Sequence, residues 1–134
     1  VKYFLTDIEA KTQMKTEFHY LCQSSYSFEE DTEIMIYRLI YEAVNNSVKH
    51  SKATKISIKI IPVFPNIIVR VEDNGIGFKI SEIESKFTGL NNSKYRLKEM
   101  VNGTIKIVTV ENVGTSITIM IPNNAKSYIL YDII

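Results

Sequence analysis

Cysteine is almost missing from this chain: Cys22 stands alone among 134 residues. A disulfide framework has no second thiol to close on, and no cysteine or histidine cluster shows metal-ligand spacing. A reducing compartment suits such a chain. An excess of one charge is missing too, since 16 basic and 15 acidic residues leave a formal net charge of +1. No global field recommends a nucleic acid or a membrane surface as partner, and any basic patch has to be local. Long apolar runs are also lacking. The stretches 56–64 and 117–121 are strand-sized and interrupted by Lys, Ser, Thr or Pro, far short of the ~20 residues a membrane span needs. The chain opens at Val1 with no charged-then-apolar leader, so the expectation is a piece excised from a longer protein, without a signal peptide.

What is present is a 45% hydrophobic sequence, enough to bury one continuous core and too short for two. The reading is a single domain over residues 1–134. Residues 3 to 11 suit a short helix, and residues 15–21 a strand with Phe18 and Tyr20 on one face. Between Glu29 and His50 there is neither Gly nor Pro, and Ile36, Ile40, Ala43, Val44 and Ser47 recur with a helical period. This predicts the clearest helix of the chain, ended by Ser51 and Lys52. Residues 55–60 alternate as a half-exposed strand, and Pro62 and Pro65 bound a connection to a partner strand at 67–72. Residues 73–88 read as a long loop with one helical turn near 81–85. Asn92 or Ser93 is placed to cap a helix that runs to Val101 and stops at Asn102-Gly103 in a left-handed C-cap. Strands at 104–110 and 115–121 follow. The order predicts an α+β fold, a two-layer sandwich whose mixed, mostly antiparallel sheet carries its helices on one face. The apolar tail from Tyr128 to Ile134 has no place in that scheme.

Three constellations carry possible chemistry. On the long helix, Glu42, Asn46 and Lys49 project from one side, roughly opposite the Ile36, Ile40 and Val44 stripe. An amide oxygen there is a suitable hard ligand for magnesium, although the trio alone reads more simply as a solvated polar face. The second is Asp73-Asn-Gly-Ile-Gly-Phe78, directly after a strand whose Ile67, Val69 and Val71 share a face with Asp73. That carboxylate should point beneath the sheet, where a purine amino group and an ordered water could satisfy it. Gly75 and Gly77 would let the backbone approach a flat ring. Alone, the motif is more simply a turn. The third is Gly89-Leu-Asn-Asn-Ser-Lys-Tyr-Arg96, a loop end leading into a helix N-terminus that favours a phosphate. In isolation it is a capped helix start. Thr115 shares the face of Ile117, Ile119 and Ile121, so its hydroxyl must find a partner inside.

Taken together, residues 30 to 122 resemble the nucleotide-binding domain shared by sensor histidine kinases, gyrase-type topoisomerases, the Hsp90 chaperone and the MutL repair protein, the Bergerat fold. Tyr37-Arg-Leu-Ile-Tyr-Glu-Ala-Val-Asn-Asn-Ser-Val-Lys-His-Ser51 is similar to the N box of histidine kinases of the NarL and DesK type. Asp73 to Phe78 and Gly89 to Arg96 are similar to the two glycine boxes, and Asn102-Gly-Thr-Ile and Gly114 to Pro122 to the closing strands. The resemblance implies Asn46 holding magnesium, Lys49 approaching the ATP phosphates, and Asp73 binding the adenine amino group. It also implies Gly75 and Gly77 lining the adenine pocket, Gly89 and Leu90 forming a lid hinge near the phosphates, and Thr115 supporting an adenine-bound water. Glu42 matches the N-box glutamate, the base in the hydrolysing cousins. Two departures touch the phosphate side: Ser93 replaces the usual methionine, and a single glycine precedes the helix.

The implied function is that of a catalytic domain of a two-component kinase. It binds Mg-ATP and donates the γ-phosphoryl to a histidine on a separate helical dimerisation domain, from which an aspartate of a response regulator takes it. Neither His19 nor His50 suits the acceptor, which is expected upstream of Val1. The expected parent is a homodimeric, membrane-anchored sensor with this part, monomeric alone, in the cytoplasm. Two other readings stay open at this point, an anti-sigma serine kinase of the same fold and a domain that has lost nucleotide binding and serves as an interaction module.

Overall fold

The computed structural model describes residues 2–21, 30–63, 65–82, 85 and 88–122. Cys22, part of the long loop and the tail from Tyr128 lie outside the described residues. Their elements run α1 (Lys2–Thr12), β1 (Lys15–Tyr20), α2 (Glu30–Asn46), β2 (Lys55–Val63), β3 (Asn66–Asp73), α3 (Thr88–Val101), β4 (Thr104–Val110) and β5 (Gly114–Pro122). The five strands form one sheet in the order β1-β2-β3-β5-β4. β1 and β2 pair in parallel and every other pair is antiparallel. This is the expected α+β fold with a mixed, mostly antiparallel sheet. Among the described residues, no helix is long and apolar enough to cross a membrane.

Two-residue alternation builds the core. Ile56, Ile58 and Ile60 of β2, Ile67, Val69 and Val71 of β3, and Ile117, Ile119 and Ile121 of β5 all point to one face and are buried. Ile36, Leu39, Ile40, Ala43 and Val44 of α2 pack with them, joined by Leu5 and Ile8 of α1 and Leu90 and Leu97 of α3. Each such aliphatic side chain contributes ~1.5–3 kcal/mol when taken fully out of water. Helix α1 is pinned further by Phe4, whose ring lies 6.5 Å from Tyr37 and 4.9 Å from Tyr41.

Several boundaries differ from the sequence reading. Pro62 was expected to bound β2, but the strand runs on to Val63. β1 stops pairing at Ile60, where the Leu21 N–H donates to the Ile60 carbonyl at 2.9 Å. Beyond that point no described strand pairs with that side of β2, where a residue without an N–H breaks no ladder. Helix α2 ends at Asn46 and continues as a π-turn over Ser47–Ser51, closed by Lys52 at φ +53°. Helix α3 starts at Thr88 rather than near Asn92, so Gly89 lies inside its first turn. Ser93, expected as a cap, instead donates its hydroxyl back to the Gly89 carbonyl at 3.0 Å. The far end matches expectation: Asn102 takes φ +56°, and the Asn102 and Gly103 N–H groups donate to the carbonyls of Lys98 and Leu97. Phe18 packs on the core, whereas Tyr20 at the strand end is exposed.

Candidate functional site

The core face of the sheet changes character in its last row. Ile58, Val71, Ile117 and Ile107 stand side by side across β2, β3, β5 and β4, and the next row is Ile56, Asp73, Thr115 and Thr109. A carboxylate and two hydroxyls thus follow directly on aliphatic neighbours. Polar groups at such a depth need partners, and each has one. The Ser47 hydroxyl donates to Asp73 Oδ2 at 2.6 Å, and the Gly75 N–H donates to Asp73 Oδ1 at 2.9 Å. Thr109 Oγ1 accepts the Phe78 N–H at 2.8 Å and lies 3.1 Å from Thr115 Oγ1. Asp73 therefore faces α2 beneath the sheet, as alternation along β3 required.

The turn after Asp73 is tied to the end of α2 and to the sheet. Asn74 Oδ1 accepts the N–H groups of Thr54 and Lys55 at 2.9 and 3.0 Å, and its amide donates to Thr54 Oγ1 at 2.9 Å. The Ile76 N–H donates to the Ser51 carbonyl at 2.7 Å, and the Ile76 carbonyl accepts the Asn112 N–H at 2.7 Å from the β4–β5 turn. Ser51 in turn donates its hydroxyl to the Ser47 carbonyl at 2.6 Å, which closes the π-turn. The His50 and Phe78 rings meet edge to face, centroids 6.3 Å apart. Gly75 and Gly77 serve this packing in a way the sequence reading did not anticipate. A Cβ on Gly75 would run into the Ser51 backbone, and Gly77, at φ +72°, sits against the Val110 carbonyl. The room that their missing side chains leave is filled by protein.

The three α2 residues are disposed less uniformly. Glu42 and Asn46 are half-buried, and Lys49, on the π-turn, is exposed. Asn46 Nδ2 is buried and, among the described residues, has no hydrogen-bond partner. The Glu42 carboxylate lies against the first turn of α3, where a Cβ on Gly89 would come within 2.5 Å of its Oε2. Leu90, next in line, is 1% exposed and belongs to the core. Of the loop between Asp73 and α3, the described part includes a tight turn at Ile80–Glu82, with the Glu82 N–H on the Lys79 carbonyl at 2.8 Å.

The structure thus brings Asp73, Thr115, Gly75 and Gly77 together at the sheet end, with Asn46 one residue before the serine that bonds Asp73. Glu42 meets Gly89 separately. The sequence reading missed Ser47 and Thr109 as site residues. A signal existed for Ser47, a hydroxyl on the buried stripe of a helix, whereas Thr109 becomes visible only through the β4–β5 register. A cavity of about 230 Å³ opens between α2 and α3, over Met35, Leu39, Leu97 and Met100; of the third constellation it takes in Ser93 and Arg96 but neither Gly89 nor Leu90. Its apolar floor gives it no claim on the chemistry of the polar row.

Comparison with known proteins covers the stretch of chain that holds these residues. Residues 31–125 match the family described as histidine kinase-, DNA gyrase B-, and HSP90-like ATPase. The sensor protein VraS of Staphylococcus saprophyticus is 29% identical over 124 residues, 92% of this chain and 35% of VraS. The sensor histidine kinase LiaS of Bacillus subtilis is 33% identical over 87 residues, 65% of this chain and 24% of LiaS. The chain therefore spans about a third or less of these relatives' length. Among solved structures, the catalytic domain of histidine kinase ThkA superposes with a TM-score of 0.74 at 18% identity, covering 90% of this chain and 86% of that one. The Acinetobacter baumannii histidine kinase AdeS gives 0.71 at 20% identity, over 91% and 60% of the two chains. With nearly three quarters of its length inside the matched region, the chain belongs to the histidine kinase-, DNA gyrase B- and HSP90-like ATPase family.

Proposed function

We propose that this chain is the catalytic part of a sensor histidine kinase, binding Mg-ATP and donating its γ-phosphoryl to a histidine on a separate helical dimerisation domain. A response regulator aspartate then receives the group. The observation that carries this reading is the inward Asp73 carboxylate, held by Ser47 and Gly75 at the end of an apolar sheet face. Its remaining lone pairs are acceptors suited to the exocyclic amino group of adenine, with Thr115 beside it to hold a bridging water. The orphaned Asn46 amide supports the phosphate side of the assignment. A half-buried amide whose nitrogen lacks a partner among the described residues carries a desolvation cost that an arriving polar group offsets.

Among the described residues, no three of His, Cys, Asp or Glu gather as a metal site. Magnesium would be held by the Asn46 amide oxygen together with phosphate oxygens and water, and would supply charge neutralisation there. Lys49, exposed on the π-turn, would approach the phosphates. Gly89 and Leu90 would act as the hinge of a lid formed by residues 79–88, closing over ATP and opening for exchange. Phosphoryl transfer asks for positioning and electrostatics more than for covalent help, so these groups suffice and Glu42 need not act as a base. The parent would be a membrane-anchored homodimer with this part in the cytoplasm.

Titration of the chain with a fluorescent ATP analogue, with and without magnesium, tests the reading. Saturable binding strengthened by magnesium and lost in Asn46→Asp is expected. Absence of binding under both conditions overturns it.

A further inference from the structure

We infer that Ser47 is the positioning residue that sets the base preference of the site, by holding the acceptor-only Asp73 carboxylate in place and committing its own proton away from the base. This deepens the proposed function and rests on Asp73 being the base-reading group. A serine hydroxyl alone is ambivalent, since it can donate to a carbonyl or accept from an amine. Here its one proton is committed to Asp73 Oδ2 at 2.6 Å. What the joined pair then offers is lone pairs only. A purine with a 6-amino group meets acceptors with donors, whereas one with a 6-carbonyl meets them with an oxygen.

The commitment is enforced from both sides. Ser47 is 3% exposed, and its backbone carbonyl is engaged by the Ser51 hydroxyl, so the serine sits in a turn that cannot easily turn it away. Asp73 Oδ1 is held by the Gly75 N–H, and Gly75 itself is pressed onto Ser51. Remove the Ser47 hydroxyl and the carboxylate keeps a single tether. It can then swing and accept the ring N–H that a 6-oxo purine carries, so the penalty against the wrong base shrinks.

The experiment is competition binding of ATP and inosine triphosphate, which differ at position 6, to the wild-type chain and to Ser47→Ala. Melting curves confirm that both are folded. We expect the ATP-to-inosine triphosphate affinity ratio to fall by about tenfold in Ser47→Ala, the worth of one charge-assisted hydrogen bond. Ser47→Thr, which keeps the hydroxyl, should restore most of the ratio. A serine that merely packs would weaken both nucleotides alike and leave the ratio unchanged, and that outcome overturns the inference while the proposed function stands. Wild-type chain that binds neither nucleotide overturns both. Should Ser47→Ala melt too low to titrate, Ser47→Cys, close in shape with a weaker donor, is held to the same ratio.

Discussion

Asp73 and Asn46 are both half-buried polar side chains on neighbouring elements, yet both oxygens of the first are bonded while the buried nitrogen of the second has no partner among the described residues. The same contrast extends around them. On the Asp73 side, the turn is stitched to α2, β2 and the β4–β5 turn by backbone and side-chain hydrogen bonds of 2.6–3.3 Å. On the Asn46 side, Lys49 is exposed and the Glu42 carboxylate rests against a glycine. One wall is preorganised by the protein itself, and on the other the buried Asn46 nitrogen has no protein partner among the described residues. Preorganisation lowers the ordering cost of binding, so under the proposed function the base is the part of a nucleotide that meets a wall already in place.

The largest effect should come from Asp73→Asn. An amide in place of the carboxylate offers a donor where two donors already point, and removes the charge from the contact with the base. ATP affinity should fall roughly 100-fold, the combined worth of a charge-assisted bond and an unsatisfied group, with labelling of the parent kinase falling with it. Calorimetric titration checks the first. An unchanged dissociation constant would mean that the bonded wall is structural only.

Two glycines sharpen the comparison further. A Cβ at Gly75 meets the Ser51 backbone, which cannot yield without opening the π-turn, whereas a Cβ at Gly89 meets the far end of the flexible Glu42 side chain. Gly75→Ala should therefore destabilise the fold by about 2–3 kcal/mol. Gly89→Ala should leave stability within about 1 kcal/mol of wild type, because alanine's helix propensity offsets the displaced carboxylate. Urea denaturation of the two variants reads the difference, and equal losses would erase the distinction between the walls.

Much of the firmer wall was legible in the sequence because strand geometry is local. The two-residue alternation of Ile67, Val69 and Val71 forces Asp73 inward, and that of Ile117, Ile119 and Ile121 puts Thr115 on the buried face of its own strand. The helical stripe through Ile40, Val44 and Ser47 was equally plain. The contacts that complete the wall were not, because they join residues far apart in the chain: Ser47 to Asp73 spans 26 positions and Thr109 to Phe78 spans 31. No periodicity encodes a partner at that range. The early start of α3 was missed for a different reason. Gly89 argues against a helix by propensity, and here it sits in the first turn with the Glu42 carboxylate lying where a Cβ would be.

A pair of asparagines gives a smaller test of the same contrast. The Asn74 side chain makes three hydrogen bonds to Thr54 and Lys55, whereas the Asn46 side-chain nitrogen makes none among the described residues. Asn74→Ala should cost about 1–2 kcal/mol, discounted for its exposure. Asn46→Ala should change stability by less than about 0.5 kcal/mol while weakening magnesium-dependent ATP binding. Thermal melts with and without Mg-ATP separate the two effects. If Asn46→Ala proved the more destabilising of the pair, its side would hold protein contacts after all, and its assignment to a ligand would lose its support.

The smallest effect belongs to neither wall and fixes what a purely structural contact looks like here. Glu9 on α1 accepts the Thr16 hydroxyl and the Thr16 N–H, both at 2.7 Å, at the start of β1. Those two bonds hold its carboxyl below the usual glutamate range. Because folding lowers this pKa, the unfolded chain binds the proton more tightly, so the stabilisation is whole above that range and drains away as pH falls through it. Glu9→Gln should melt slightly below wild type near neutral pH, and the gap should close between about pH 5 and about pH 3. Its ATP affinity should match wild type throughout the range in which the chain stays folded. A gap that persisted at the acid end would show that the carboxylate charge is not what the Thr16 contact uses, and a change in ATP affinity would mean that α1 and β1 reach the polar row through the sheet.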